Sequence, residues 1–289
     1  MNTFQYARPE TVEQVLALLQ EYGSSANLLT GGTDLLIRLR KGKVRPRLVI
    51  DLKRVTTLRP DIIETGSCLE IGALAVLTDI IQDKRVQGHF SALAEAARTV
   101  GSVQIRNRAT LAGNICNASP AADTAPALLV YGARINLIGI KGNRRIPLSE
   151  FFVGPGQTIL QQSEIVASIE LPLPQKQVGA AFAKLTRRRG VDLATINTCC
   201  LVDAAGVTRF AYGAVGPRPL LVADESGCLA DPTADEQKKE QVLKQLIDQA
   251  SPISDVRASR EYRLAMLFVL SRRALQTALN RLAALTQEN

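Results

Sequence analysis

The stretch Leu28-Leu29-Thr30-Gly31-Gly32-Thr33-Asp34-Leu35 constrains this chain more than any other. Leu28 and Leu29 read as the end of a buried strand, and Leu35-Leu36-Ile37-Arg38-Leu39-Arg40 reads as a helix start. Paired glycines between a strand and a helix permit positive φ and bare their backbone N–H groups. Thr33 and Asp34 are both residues that cap helices. A turn of this type can aim several donors at one anion, although it can equally be an ordinary tight connection.

A second segment of similar character runs from Gly101 to Asn117 and contains Thr110-Leu111-Ala112-Gly113-Asn114. It is dense in small and hydrogen-bonding residues, and reads either as a long polar surface loop or as a functional one. Asn114 beside Gly113 joins a side-chain amide to bare backbone, a donor set suited to phosphate or ribityl oxygens, and Asp123 can accept from sugar or ribityl hydroxyls. Neither GxxxxGK[ST] nor a Rossmann fingerprint is present, and Gly154-Pro155-Gly156 lacks the required third glycine. A dinucleotide would therefore bind by some other scheme.

Around these turns the chain divides into three parts. In residues 1–55, Thr11 and Gln14 form a capping box before a helix expected over 12–22, with Gly23 as its C′ residue. Strands at 27–29 and 48–52 complete a small α/β unit. Residues 56–174 read as a second α/β unit, with strands at 68–71, 134–138 and 165–171 and helices at 76–82, 90–100 and 126–131. Pro172-Leu173-Pro174 marks its end. Residues 175–289 change rhythm: strands at 182–185, 196–203 and 208–214 look antiparallel, Asp203-Ala204-Ala205-Gly206 supplies a hairpin turn, and helices follow near 234–249 and 258–286.

Composition narrows the function classes. The 289 residues are 46% hydrophobic and 21% charged, which describes a globular chain. No apolar run reaches the roughly 18 residues of a membrane span, and no signal-peptide pattern opens the chain, so a cytoplasmic protein is expected. The five cysteines form no CxxC pair, which argues against an iron–sulfur cluster or zinc ribbon held by this chain; Cys199-Cys200 reads as buried thiol. With His89 as the only histidine, no His-rich metal site is available. A Ser-His-Asp hydrolase would have to rest on that residue, between Gly88 and Phe90 at an expected helix start. The net charge of +8 is concentrated at Arg38–Arg45, Arg187–Arg189 and Arg272-Arg273. With no Trp and only 4% aromatics, stacking platforms for nucleic acid are missing, and a solvated face, or a docking face for an acidic subunit, is the better reading.

Several of these segments together carry a resemblance. The turn at 28–35, Gln104-Ile105-Arg106-Asn107, Thr110–Asn114, Ala181-Phe182-Ala183-Lys184, Arg187-Arg188 and Asp192-Leu193-Ala194 are similar, in this order and over essentially the whole length, to the medium, FAD-binding subunit of the xanthine dehydrogenase / carbon monoxide dehydrogenase family of molybdenum hydroxylases. The resemblance implies an α+β fold: a two-subdomain FAD-binding region of the vanillyl-alcohol-oxidase (PCMH) type, then a C-terminal α+β domain with a three-stranded antiparallel sheet and helices. It implies FAD contacts from Leu28, Leu29, Thr30, Gly31, Gly32, Thr33, Asp34 and Leu35 around the pyrophosphate. Thr110, Leu111, Ala112, Gly113 and Asn114 would form a second wall, with Gly101 lining the same cleft. Asp123 would bind a ribityl or adenosine hydroxyl, Val166 would lie on the adenine side, and Lys184 near the isoalloxazine. A cation there would stabilise the anionic reduced flavin; otherwise Lys184 is a solvent-facing strand lysine. Many relatives carry a second glycine at Ala112, so the alanine there needs a negative φ or is held at some strain. No residue of this chain need be catalytic and none binds metal. Molybdopterin and 2Fe–2S clusters would reside in a large and a small partner subunit, in a dimer of heterotrimers, with NAD or another acceptor taking the electrons. The rival reading is a stand-alone FAD-dependent oxidase or reductase on the same scaffold.

Overall fold

A computed structural model describes residues 3–287. The first unit runs β1 (Gln5–Ala7), α1 (Val12–Tyr22), β2 (Ala26–Leu29), α2 (Leu35–Arg40) and β3 (Leu48–Asp51). Its three strands form a parallel sheet in the order β1-β3-β2. Helix α1 has the bounds and the capping box read from sequence: Thr11 Oγ1 accepts from Gln14 N at 3.3 Å, Gln14 Oε1 accepts from Thr11 N at 3.3 Å, and Gly23 closes the helix at φ +56°. Val12, Val15, Leu16 and Leu19 form its buried stripe.

The next unit contains β4 (Ile62–Thr65), β5 (Cys68–Gly72), α3 (Leu77–Gln82), α4 (Lys84–His89), α5 (Ser91–Arg98), α6 (Val103–Arg106), α7 (Leu111–Cys116) and α8 (Thr124–Val130). It continues through β6 (Arg134–Gly139), β7 (Gly142–Pro147), α9 (Leu148–Phe151), β8 (Phe152–Gly154), β9 (Gln157–Thr158) and β10 (Glu164–Pro172). Strands β4-β5-β10-β6-β7 make an antiparallel sheet, with a register shift in β10 between Val166 and Ser168. Two expectations change here. The segment 101–117 is not an extended loop: its polar residues cap short helices, Ser102 accepting from Ile105 N at 3.4 Å and Thr110 from Gly113 N at 3.0 Å. His89 closes α4 instead of opening a helix, and is exposed.

The last unit is β11 (Val178–Leu185), β12 (Ile196–Asp203), β13 (Thr208–Gly213), β14 (Leu220–Asp224), α10 (Glu236–Ile247) and α11 (Arg260–Gln287). The three expected strands are joined by a fourth, β14, which pairs with β13 at the edge. It begins directly after Pro219, which fits the start of an edge strand. The hairpin forms at the expected residues, with Asp203 Oδ1 accepting from Ala205 N (2.9 Å) and Val207 N (3.0 Å) and Gly206 at φ +88°. This sheet is covered on both sides. Because side chains alternate along a strand, Ile196, Cys200 and Val202 pack toward α10 and α11, whereas Cys199 and Leu201 join the core of the preceding units. Burial pushes both cysteine thiols well above their usual range. That alternation also aims Asn197 and its cross-strand partner Lys184 at the first two units. Among the described residues, no helix is long and apolar enough to cross a membrane.

Candidate functional site

The two turns meet. Thr30 Oγ1 and Thr110 Oγ1 lie 3.1 Å apart in a hydrogen bond that joins the first unit to the second. Beside it, the chain at Gly31 runs so close to residues 108–109 that an added Cβ would sit 1.8 Å from the Arg108 carbonyl oxygen. A Cβ on Gly113 would fall 2.8 Å from Thr110 Oγ1 and 3.2 Å from Thr30 Oγ1. These glycines are needed for backbone approach, whereas Gly32, at φ +74°, is needed for conformation. From behind, Lys53 Nζ donates to the Thr30 carbonyl at 3.4 Å and pairs with buried Asp51 at 2.7 Å. Neither Thr33 nor Asp34 caps α2: Asp34 holds the N-cap position without a side-chain bond, and the Gly32 carbonyl accepts from Leu36 N at 3.0 Å.

The turns border a cleft of about 920 Å³, at the upper end of the size range of small-molecule sites. Leu28, Thr30, Gly31, Gly32, Thr33, Asp34 and Leu35 line one wall, with Gly101, Thr110, Ala112, Gly113 and Asn114 opposite. Asp123 and Val166 also face it. Ala112 lies inside α7 and has a negative φ, so no second glycine is needed there. The Thr124 hydroxyl donates to Asn114 Oδ1 at 2.7 Å, leaving the amide NH2 as the unused donor end. Three expected residues do not line the cleft. Leu29 does not reach it, Leu111 is fully buried in the core, and Lys184 stands behind the wall.

The placement of Lys184 has a clear cause. Its register with Asn197 turns both side chains toward Asp123. Lys184 Nζ meets Asp123 Oδ2 at 2.6 Å and donates to the Thr99 carbonyl at 3.2 Å, while Asn197 Nδ2 donates to Asp123 Oδ1 at 2.9 Å. The ion pair is over nine-tenths buried on both sides, so Lys184 is neither solvent-facing nor a wall residue. Burial raises the Asp123 carboxyl above its usual range, opposed by the Lys184 charge and the hydrogen bonds from Lys184 and Asn197.

Residues to which sequence reading gave no place in the site complete the cleft. At one end Asn27, Gln162 and Glu164 line it. Arg144 grips Glu164 through two bonds of 2.7 and 2.8 Å and, chiefly by that hydrogen bonding, holds its carboxyl below the usual range. At the mouth stand Ile37 and Arg38 from α2 with Arg188, Val191 and Leu193 from the loop between β11 and β12. That loop is tied by the Arg187–Asp192 pair at 3.1 Å and by the Arg188 guanidinium on the Val191 carbonyl at 2.9 Å. A polar residue inside an apolar strand was the available signal for Asn197. The other additions depend on contacts between distant segments.

Comparison with known proteins agrees with this layout. Residues 2–174 match the model of the FAD binding domain in molybdopterin dehydrogenase, and residues 180–278 that of the CO dehydrogenase flavoprotein C-terminal domain. The chain is 31% identical over 278 residues to the xanthine dehydrogenase FAD-binding subunit of Escherichia coli O157:H7, covering 94% of this chain and 95% of that protein. It is 32% identical over 284 residues to the carbon monoxide dehydrogenase medium chain of Hydrogenophaga pseudoflava, covering 97% and 98%. A solved structure of carbon monoxide dehydrogenase from that organism, lacking the Mo-pyranopterin moiety of the molybdenum cofactor, aligns with a TM-score of 0.88 at 31% identity over 97% of this chain and 98% of that one. Two family models matched in series, relatives aligned nearly end to end and two glycine turns closed on one cleft lead to one conclusion: the chain belongs to the FAD-binding medium subunits of the xanthine dehydrogenase / carbon monoxide dehydrogenase family of molybdenum hydroxylases, the flavoprotein component of an oxidoreductase.

Proposed function

We propose that this chain is the electron-relay subunit of a molybdenum hydroxylase complex, taking electrons from a small 2Fe–2S subunit and passing them to NAD or another acceptor. A large subunit would hold molybdopterin and the substrate, and the complex would assemble in the cytoplasm as a dimer of heterotrimers. The observation that carries this reading is the cleft of about 920 Å³ walled by both glycine turns, with hydroxyl and amide groups among its lining residues. Its residues fit FAD: Thr30, held by Thr110, and Asn114 supply donors, Asp123 supplies an acceptor for hydroxyls, and Leu28 and Val166 supply apolar flanks.

On this reading the turn at 28–35 and the segment 110–114 hold the diphosphate, and Asp123 holds a ribityl or adenosine hydroxyl. Val166 packs on the adenine side. Lys184 acts through Asp123, fixing the carboxylate that touches the cofactor. Leu29 and Leu111 serve as anchors beneath the turns. When bound, FAD supplies a carrier that links one-electron donors to two-electron acceptors. The chain binds it, orients it and limits water around it, with no acid or base of its own.

The test is purification of the chain with its natural partners, followed by a flavin absorbance spectrum and native mass spectrometry. The expected outcome is one non-covalent FAD per chain and co-purification of a large and a small subunit. FAD on the chain with no partners would favour a stand-alone flavoenzyme, and absence of flavin would overturn the reading.

A further inference from the structure

The hydroxyls of Thr30 and Thr110 have a donor count that does not balance within the chain. Two hydroxyls bring two protons. One is spent on the bond between the Oγ1 atoms, 3.1 Å long. Thr110 Oγ1 also accepts from Gly113 N at 3.0 Å as the cap of α7, and among the described residues neither hydroxyl has a further acceptor. One O–H proton is therefore left over whichever way the bond runs. Thr110 is 4% exposed, while Thr30 is half-buried in the cleft wall. A hydroxyl proton stranded at the buried residue would be left without a partner away from water, the costlier arrangement. The favoured order is thus Gly113 N–H to Thr110, Thr110 O–H to Thr30, and Thr30 O–H into the cleft.

We propose that Thr30 and Thr110 work as one clasp: the Thr110–Thr30 bond orients a single O–H toward an anionic oxygen of the ligand, and ligand binding in turn tightens the bond between the two units. Resting on the reading that the ligand is FAD, that oxygen belongs to its diphosphate. An acceptor with negative charge polarises the whole chain of bonds, so each link strengthens the next. Thr110 then contributes to affinity without touching the ligand. The Gly113 contact explains why the chain can tolerate nothing larger there, since a Cβ would fall against both hydroxyls.

The clasp predicts coupling that two independent donors would not show. FAD dissociation constants are measured by fluorescence titration of the FAD-depleted full chain as wild type, Thr30→Val, Thr110→Val and the double variant. Thr30→Val is expected to weaken FAD roughly tenfold or more in the wild-type background, the range for a hydrogen bond to a charged acceptor. In the Thr110→Val background it is expected to cost no more than about threefold, because the remaining hydroxyl is no longer held in direction. Loss of the α7 cap is common to both arms of that comparison and cancels. Thr30→Ser and Thr110→Ser keep both hydroxyls and are expected to stay within about twofold of wild type, which a role in methyl packing alone would not give. Should Thr110→Val fail to fold, Thr110→Ala supplies the same corner of the cycle. Equal penalties for Thr30→Val in both backgrounds, or no penalty in the wild type, would overturn the clasp while leaving the FAD site standing. A wild-type chain that binds no FAD would overturn the reading of the site and the clasp with it.

Discussion

The two glycine turns and Asp123, which line one cleft, are held by opposite means. At the turns the contact is neutral: backbone against backbone at Gly31 and Arg108, and hydroxyl against hydroxyl at Thr30 and Thr110. At Asp123 it is a buried charge, paired by Lys184 and completed by Asn197 from the C-terminal sheet. The neutral end tolerates no added atom. The charged end tolerates no removed one, because an ion left alone in the interior costs far more than the pair contributes. The second device also makes the C-terminal unit part of the site, although among its strand residues only side chains behind the wall are involved.

The largest effect is expected from breaking the charged end. Lys184→Met leaves Asp123 buried without its counter-ion and should destabilise the chain by about 3–5 kcal/mol at pH 8. The loss should shrink on acidification. Asp123 already has a raised carboxyl, and removing Lys184 raises it further. Between the unfolded value near 3.8 and the folded one, the native state binds the extra proton, so stability falls as pH rises. Denaturant unfolding at pH 5 and pH 8 measures this; a loss independent of pH would mean that packing, not charge, is what Lys184 supplies.

Gly31→Ala attacks the neutral end. Its Cβ would lie 1.8 Å from a backbone oxygen that cannot rotate away, so the two turns must separate. Overpacking of this order costs up to about 3 kcal/mol, which would weaken FAD roughly 100-fold if the turns hold its diphosphate. A titration giving affinity within threefold of wild type would show that the turns are not interlocked as described. Gly66, by contrast, meets nothing within 4 Å and provides a control for the presence of the methyl group, with the strain of its positive φ affecting stability alone.

The same contrast explains what could be read from the sequence. The neutral end was legible because its signals are local: Gly31-Gly32 after Leu28-Leu29, and Thr110 three residues ahead of Gly113. Helix α1 was legible for the same reason, its capping box and glycine stop lying within its own span. The charged end was only half legible. Asp123 and Lys184 were singled out, but their pairing and the role of Asn197 depend on the register of β11 with β12, which is set by the whole sheet. The helices α6 and α7 were hidden because Ser102 and Thr110, residues that look loop-forming, act as caps. Strand β14 was hidden because five residues after a proline carry too short a pattern.

A smaller effect separates two carboxylates that line the same cleft. Glu164 is held below its usual range by Arg144, the reverse of Asp123. A lowered carboxyl stabilises the fold above the unfolded value near 4.5 and loses that contribution as pH falls through the folded value. Glu164→Gln should therefore cost on the order of 1 kcal/mol at neutral pH, since Arg144 is partly exposed and the pair is screened. The cost should vanish in acid. Unfolding curves for wild type and variant that stay parallel down to pH 3 would show that the pair does not report on protonation.

The smallest effect on the chain itself is expected outside the cleft. Arg40, Lys41 and Lys43 are exposed at the end of α2, and among the described residues none of them forms an ion pair. Reversing all three to Glu should change stability by no more than about 0.5 kcal/mol per site, and FAD affinity by less than about twofold, because neither device of the cleft is touched. If this face docks an acidic partner, assembly with the iron–sulfur subunit should weaken markedly at low salt, and its dependence on ionic strength should flatten, because exposed charges act chiefly through screened long-range attraction. Sedimentation of the complex across a salt series reads both. Unchanged assembly would leave the basic run as a solvated face and move the docking surface to the mouth of the cleft, where Ile37 and Leu193 are about half exposed beside arginines already engaged within their own loop.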